Sequence, residues 1–433
     1  MTASTSTPTM TEAKVRELAS RRKDPEWLLQ RRLAALRVFE AMAMPDPREE
    51  EWRRTDISPF DFDQAMAQSV PENVRFQTEP SLDGNGSIVA VTGSGRSYWA
   101  QANELDPRIY VRDLHQGAND HEDLVREHLH SLARPTDWKL AALQAAAWEG
   151  GAFVYVPAGV EATLPIRHII DHAGQASFPH LLIVAESNSE VTVVQESRGE
   201  AASGYSLVNG AVEIICKPDA RVRYVDVQNL GSDGVYAFST IRARLERGAQ
   251  LAASVIGIGG LLSKTKLEVS LEGEGAHAEL LGLTFGDGKQ HFDYMTLQDH
   301  IGPRTSSDLL FKAALDGASS SVWTGTVHIQ KTAALSEAHQ TSRNLLLSEH
   351  AKAAPIPVLE IEAYDVLQCS HGASAGPLDE EQRFYLESRG IPSDVAQQLL
   401  VEAFFIEVID RLPESIDREA IASAVLAKLG TRA

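Results

Sequence analysis

A cysteine and a histidine stand two residues apart near the carboxyl end of the chain, in residues 365–373. Cys369 and His371 would project from the same face of a strand, because side chains alternate between its two faces. A thiol beside an imidazole can ligate iron or zinc, or act as a thiolate–imidazole nucleophile. Two ligands do not complete a tetrahedral site, so a metal here needs ligands from another chain or from sulfide. A buried cysteine beside a hydrogen-bonded histidine is the simpler alternative.

Other motifs for chemistry are incomplete. Residues 257–265 and 286–290 resemble phosphate-binding loops, but the first has Ser263 where a glycine precedes the lysine, and the second lacks a hydroxyl residue after its lysine. We therefore expect no ATP hydrolysis by this chain. The other cysteine, Cys216, stands far from Cys369, which excludes a zinc knuckle or a four-cysteine cluster within the chain. His168 and His172 are interpreted as core or solvated histidines.

A repeating β-rich region must position Cys369 and His371. Short strand-like runs dominate between Ala152 and Val366 and are separated by a small turn element. One small residue per turn recurs in steps of 27 to 31 residues, at Ala162, Ser189, Ala220, Ala249 and Ala276. This loose period, without intervening helical patterns, predicts a parallel β-solenoid whose rungs stack because none can bury its own apolar face. An antiparallel sandwich is the structural alternative.

Helical patterns flank the β-rich region and suggest three domains. Residues 1–150 are expected to form a mainly helical N-terminal domain, 151–376 the β-helix core, and 377–433 a helical C-terminal domain. The last domain includes an expected helix from Asp394 to Leu412, which has two adjacent apolar rows and a wider apolar face than one supporting surface needs. That face either packs on this chain's own helices or, in part, docks a partner chain.

Composition is that of an acidic globular protein. The 433 residues have a formal charge of −20, and an apolar content of 43% fits a packed core. The negative charge disfavours nucleic acids and anionic membranes, and no apolar run is long enough for a spanning helix. The first ten residues show no secretory signal, and two cysteines cannot form a disulfide framework. We therefore expect a cytoplasmic protein that binds neither nucleic acid nor membrane.

A β-solenoid is also compatible with two other functions. Parallel β-helices host polysaccharide hydrolases and lyases, and Asp293 and Asp299 lie near His291 and His300. A cytosolic β-helix carbohydrate hydrolase or lyase is therefore the alternative, although no paired-carboxylate spacing stands out. A homodimeric adaptor is a third hypothesis, because an exposed rung edge can pair with itself.

Several segments resemble the SufB/SufD family of iron–sulfur cluster assembly scaffolds. They are residues 340–348, 359–361, Cys369-Ser370-His371-Gly372-Ala373, 376–391, and upstream 50–53 and 55–57. Within this family the chain resembles the SufD branch, because SufB-type chains have extra cysteines and a glutamate where Gly372 stands. One departure is Tyr364 before Asp365, where the family usually has a second aspartate.

This resemblance implies a right-handed parallel β-helix between helical domains, in a non-catalytic scaffold that supports iron acquisition. It implies a complex with a SufB-like paralogue, paired near the C-terminal end of the β-helix, and with the ABC-type ATPase SufC. There His371, with Cys369, is expected to face a SufB cysteine and help hold iron or a nascent iron–sulfur cluster. The C-terminal helices are expected to dock the ATPase through Phe384, Tyr385, Leu400, Phe404 and Val408. A flavin is implied for the whole complex, at no assignable residue.

Overall fold

The structure, a computed structural model, describes residues 10–67, 88–93, 96–100, 105–172, 176–199 and 204–430. The helices of this part of the chain are α1 Glu12–Arg22, α2 Glu26–Ala41, α3 Phe62–Ala67, α4 Leu114–Asp120, α5 Glu122–His128, α6 Lys139–Ala147, α7 Glu380–Ser388, α8 Ser393–Ile409 and α9 Arg418–Gly430. None of these helices is long and apolar enough to cross a membrane.

The strands fall in the middle of the chain, with a few before the helices α4 to α6. They are β1 Ile88–Gly93, β2 Arg96–Ala100, β3 Tyr110–Asp113, β4 Gly151–Val156, β5 Ile166–His172, β6 His180–Ala185, β7 Glu190–Gly199, β8 Ser206–Cys216, β9 Arg221–Leu230, β10 Val235–Leu245, β11 Gln250–Gly257, β12 Leu262–Leu271, β13 His277–Gly286, β14 His291–His300, β15 Ser306–Leu315, β16 Ser320–Ile329, β17 Glu337–Leu346, β18 Lys352–Ile361 and β19 Gln368–Pro377.

Successive strands alternate between two sheets, which is the connectivity of a parallel β-solenoid. The odd-numbered strands from β5 to β19 build one sheet, and the even-numbered strands from β4 to β18 build the other. Neighbours within each of these two runs pair in parallel, for example β15 with β17 and β16 with β18. The predicted parallel β-helix with flanking helices is therefore confirmed, and the antiparallel sandwich is wrong.

A tight turn at one corner of each rung sets the repeat. In each turn a residue with positive φ precedes a small buried residue, as at Asn188-Ser189, Asp219-Ala220, Gly248-Ala249 and Gly275-Ala276. Asparagine, aspartate and glycine adopt this left-handed backbone more readily than other residues, and the small side chain fits the crowded corner. The recurring small residues from Ser189 to Ala276 lie at these corners, at steps of 31, 29 and 27 residues, whereas Ala162 lies just after the corner at Gly159-Val160.

Helices cover both outer faces of the solenoid. The N-terminal helix α6 packs on the even-numbered sheet and α2 packs on α6, through an apolar cluster that includes Trp148 and Phe238. The C-terminal helices α8 and α9 pack on the odd-numbered sheet through a cluster that includes Leu281, Phe405 and Val425. Each fully buried side chain of this size contributes about 1.5–3 kcal/mol, so these apolar rows hold the helices in place.

The two ends of the solenoid are built differently. At the first end each sheet finishes on an antiparallel partner, β2 against β1 and β3 against β4. At the last end β18 and β19 are outermost, and their residues are partly or fully exposed throughout. In the described part of the chain, no further element covers this last rung. Such an end leaves apolar surface and strand-edge backbone groups in water.

Buried histidines predict that the fold is sensitive to acid. Burial lowers the pKa values of His168, His172 and His300 to about 4. Histidine in an unfolded chain titrates near 6.5, so the unfolded state binds more protons between about pH 6.5 and pH 4. The stability present at neutral pH should fall through this window by roughly a few kcal/mol. Urea unfolding as a function of pH measures this, and His300→Gln should flatten the dependence; an equally steep dependence in that variant would count against the explanation.

Candidate functional site

Cys369 and His371 lie on β19, the last strand of the odd-numbered sheet. The register places Cys369 beside Ala338 and His371 beside Gln340 of β17. Ala338 and Gln340 are buried, so the side of the sheet they occupy is the interior of the solenoid. Both candidate ligands therefore occupy the interior-facing side of the last rung, on one face of the strand.

The two side chains differ in exposure because the solenoid ends here. Cys369 is partly buried against the cluster formed by Val327, Ile329 and Ala338, whereas His371 is exposed. Burial raises the pKa of the Cys369 thiol, so a metal or a cationic partner is needed to favour the thiolate. Within the described residues, no third histidine, cysteine or carboxylate joins these two at ligand distance. Among the residues that the structure describes, these two ligands therefore stand without the others that a tetrahedral site needs.

The free edge of β18 resists pairing with another strand. Lys352 and Glu362 donate their N–H groups to backbone carbonyls of the β16 region, so even-numbered N–H groups along β18 face β16. The odd-numbered positions therefore face the free edge, and two of them are Pro355 and Pro357. Proline has no N–H to donate, and its ring blocks the approach of another strand.

The free edge of β19, in contrast, is open to pairing. Glu337 donates its N–H to the carbonyl of Thr305 on the β15 side, so the even-numbered backbone groups of β17 face β19, and the parallel register turns the even-numbered groups of β19 toward β17. The odd-numbered N–H groups of β19 therefore face the free edge, and no proline is among Cys369, His371, Ala373 and Ala375. An exposed strand edge with an unbroken series of donors is a ready template for another strand.

Large apolar side chains lie beside this open edge. Ile361, Tyr364 and Leu367, at the connection between β18 and β19, are 48%, 102% and 61% exposed. A group of exposed apolar residues of this kind marks an interaction surface. None of these three residues was predicted from the sequence to form an interaction surface. The departure of Tyr364 from the family's aspartate was the one available signal.

The residues predicted to dock the ATPase separate into two groups. Phe384 and Tyr385 on α7 are 70% and 58% exposed. Leu400 and Phe404 are partly buried and Val408 is 1% exposed, and all three belong to the cluster that seats α8 on the solenoid. Val408 therefore supports α8 from beneath and is not accessible to a partner in this structure.

The second apolar row of α8 faces outward instead. Val395, Leu399 and Ile406 are 38%, 42% and 53% exposed. Because α7 packs beside α8, this row and the two aromatic residues of α7 lie on neighbouring helices. We call these residues the α7–α8 surface: Phe384, Tyr385, Val395, Leu399 and Ile406.

The two aspartates of the enzyme alternative are not a catalytic pair. Asp293 is buried, 2.5 Å from the Lys264 ammonium, and accepts a hydrogen bond from Thr55. Asp299 instead pairs with His328 at 3.0 Å. The two aspartates are six positions apart on β14, so their Cα atoms are about 20 Å apart. Glycosidase carboxylates lie about 5–9.5 Å apart, so this proposed acid–base pair is wrong.

Two family models together span most of the chain. One, described as the SufBD protein N-terminal region, matches residues 14–168. The other, described as the SUF system FeS cluster assembly SufBD core domain, matches residues 168–404, more than half of the chain. The chain belongs to the SufB/SufD family. Its general role is therefore in iron–sulfur cluster assembly.

Curated relatives of the SufB/SufD family include members of both branches. The iron–sulfur cluster assembly protein SufD of Bacillus subtilis is 28% identical over 426 residues, covering 94% of this chain and 95% of the relative. SufB of the same organism is 28% identical over 426 residues, covering 93% and 90%. A SufBD family protein of Staphylococcus haemolyticus is 28% identical over 425 residues, with the same coverage as SufB. Identity alone therefore does not separate the two branches.

Proposed function

We propose that this chain is a SufD-type, non-catalytic scaffold subunit of a SufBCD-type complex. In it, the last rung of the solenoid pairs with a SufB-like paralogue, and the C-terminal helices dock a SufC-like ATPase. One observation carries the proposal: the last rung is uncovered in the described chain and holds an incomplete pair of ligands, Cys369 and His371. Gly372, in place of the glutamate expected of SufB-type chains, supports the SufD branch.

A partner strand paired to β19 would supply hydrogen-bond partners for the free backbone groups of the last rung. A strand added to its free edge accepts and donates the backbone hydrogen bonds that now face water. It also brings the partner over the exposed Ile361, Tyr364 and Leu367. Because β18 has prolines at two free-edge positions, the added strand is expected on β19 alone.

Iron or a nascent iron–sulfur cluster is the cargo of this interface. His371 offers an imidazole nitrogen and Cys369 a sulfur on the same side of the last rung. Imidazole and thiolate both suit iron, and the remaining ligands come from the partner chain and from sulfide. Placing the cargo between two chains makes assembly depend on their pairing, which fits a scaffold that supports iron acquisition.

Co-expression tests the proposed function. We expect the chain, a SufB-like protein and a SufC-like ATPase to copurify and, after anaerobic addition of iron and sulfide, to show the visible absorption of an iron–sulfur cluster. Omission of this chain should reduce the cluster yield. A chain that remains a homodimer and takes up neither partner would overturn the proposal in favour of the homodimeric adaptor.

The α7–α8 surface predicts where the ATPase binds. Replacing both Phe384 and Tyr385 by serine should weaken ATPase binding roughly tenfold or more, because exposed aromatic residues are typical binding hot spots. The fold should be unaffected, since both side chains are largely exposed. Titration of labelled ATPase measures the affinity, and Met44→Ser, at a 41% exposed apolar residue on the N-terminal side, is the matched control. Equal affinities for the double variant and the control would place the docking site elsewhere.

A further inference from the structure

A second group of metal-ligating side chains lies where the N-terminal region meets the solenoid. It consists of His130, just after α5, His180 on β6 and Glu213 on β8. One candidate ligand atom from each lies within 4.8 Å of the other two. We propose that these three residues bind a divalent transition-metal ion, at a site separate from the cargo interface on β19.

Their burial distinguishes these residues from a chance surface cluster. His180 and Glu213 are 0% exposed. Both ring nitrogens of His130 are buried, and neither has a hydrogen-bond partner among the described residues. A buried polar atom without a partner costs about 1–3 kcal/mol, and a metal ion would give one of these nitrogens a partner.

The protonation states suit metal binding. Burial, with His180 beside it, lowers the pKa of His130 to about 3, so the ring is neutral and a nitrogen lone pair is available. Burial alone would raise the pKa of Glu213, but the hydrogen bond from His180 is among the contacts that hold it below its usual value. Glu213 is therefore ionised at neutral pH and can act as an anionic ligand.

The donor set points to zinc or iron(II). Two imidazoles and one carboxylate, with positions left for water, are the ligands of many zinc sites and of non-haem iron(II) sites. Bonds of about 2.1 Å require donor atoms about 3.4 Å apart. The His180 Nε2 and Glu213 Oε2 atoms are already 3.0 Å apart. The His130 ring lies on a loop, and it must move roughly an ångström closer to these two atoms to complete the set of ligands.

Surrounding groups hold two of the ligands in place. Glu213 accepts backbone N–H bonds from His130, Leu132 and Ala133 at 2.6, 2.7 and 3.1 Å. The His180 Nδ1 atom lies 3.2 Å from the Gln144 amide. A metal bound to His180 Nε2 displaces the proton of that nitrogen, so the neutral ring carries its proton on Nδ1. Rotating the Gln144 amide by half a turn then places the amide oxygen where it accepts a hydrogen bond from Nδ1–H. Outer partners of this kind orient metal-bound histidines.

Cobalt(II) and zinc(II), added to the metal-free full-length chain, test this proposal. We expect one equivalent to bind, with cobalt d–d bands typical of nitrogen and oxygen ligands and no thiolate charge-transfer band. His130→Gln should weaken binding roughly 100-fold or more, because a ligand is lost. This variant should fold, since the ring makes no hydrogen bond among the described residues.

Two controls assign the bound metal to one site. The double variant Cys369→Ser/His371→Ala should retain the cobalt spectrum, because its changes lie on β19. His168→Gln, which alters a buried histidine outside the cluster, should also retain it. The proposal is overturned if no cobalt binds, if His130→Gln binds as tightly as the unaltered chain, or if the β19 variant abolishes binding. In those cases the three residues serve only to anchor the loop, and the proposed scaffold function is unaffected.

Discussion

Replacing His371 by alanine is expected to abolish cluster assembly while leaving the complex with the SufB-like and SufC-like partners intact. His371 is exposed on the last rung, so its removal takes little packing from this chain. It does remove the imidazole that we propose as a ligand for the cargo, and Cys369 alone would remain on this side of the interface. Complementation of cells that lack the chain, together with the native mass of the purified complex, measures both effects.

A histidine one strand away provides the matched control. His339 lies on β17 on the outer face of the same sheet, where its Nδ1 atom pairs with the Ser370 hydroxyl at 2.8 Å. His339→Ala should retain assembly, because that face points away from the proposed cargo. Full activity of His371→Ala, or equal losses in the two variants, would remove His371 from the proposed site.

Replacing Lys264 by methionine should destabilise the protein more than any surface substitution. The Lys264 ammonium is fully buried, 2.5 Å from Asp293 and 4.8 Å from the Trp52 ring centre. The variant leaves the Asp293 carboxylate buried without its counter-ion, which typically costs about 3–5 kcal/mol. Urea unfolding, followed by circular dichroism, measures the loss.

Two further variants test whether the unpaired charge is the cause. Adding Asp293→Leu to Lys264→Met should recover most of the stability, since apolar residues often replace a buried ion pair without loss. Arg304→Met breaks the Arg304–Glu274 pair, in which both side chains are more than half exposed, and should cost under about 1 kcal/mol. If Lys264→Met and Arg304→Met lose similar amounts of unfolding free energy, this explanation is refuted, and Asp293 would then have a role other than pairing with Lys264.

The solenoid could be predicted because its corners are local. Each turn needs a residue that tolerates positive φ, followed by a small residue, and these recur visibly, as at Asp219-Ala220 and Gly248-Ala249. Which end of the solenoid lies uncovered depends instead on distant pairings. β1 pairs with β5 across more than seventy residues, and sequence periodicity contains no signal for such a contact.

The apolar rows of α8 show a similar limit. Both rows were visible in the sequence, but periodicity alone does not tell which one faces the solenoid. In the structure Ala396 and Val408 face inward, whereas Leu399 and Ile406 face outward. A contact outside the helix fixes this orientation: the buried Lys312 of β15 donates to the backbone carbonyl of Phe404 at 2.8 Å.

The two candidate metal sites differ in how far the sequence reveals them. Cys369 and His371 share a strand, so alternation alone predicts that they share a face. His130, His180 and Glu213 belong to three separate segments, which meet only because β6 stacks on β8 and the loop after α5 folds over them. Local spacing therefore gave no indication of the second cluster.

The central claim is that the chain pairs with a SufB-like partner through the free edge of β19. Native mass spectrometry of mixtures of the two proteins tests this claim most directly. Ala373→Pro removes a free-edge N–H and places a ring there, at an exposed position of β19. Ala373→Ser keeps the N–H and is the matched control. We predict a mixed complex for the unaltered chain and for Ala373→Ser, and roughly 10- to 100-fold weaker association for Ala373→Pro. Equally tight mixed complexes in all three, or none in any, would contradict the account.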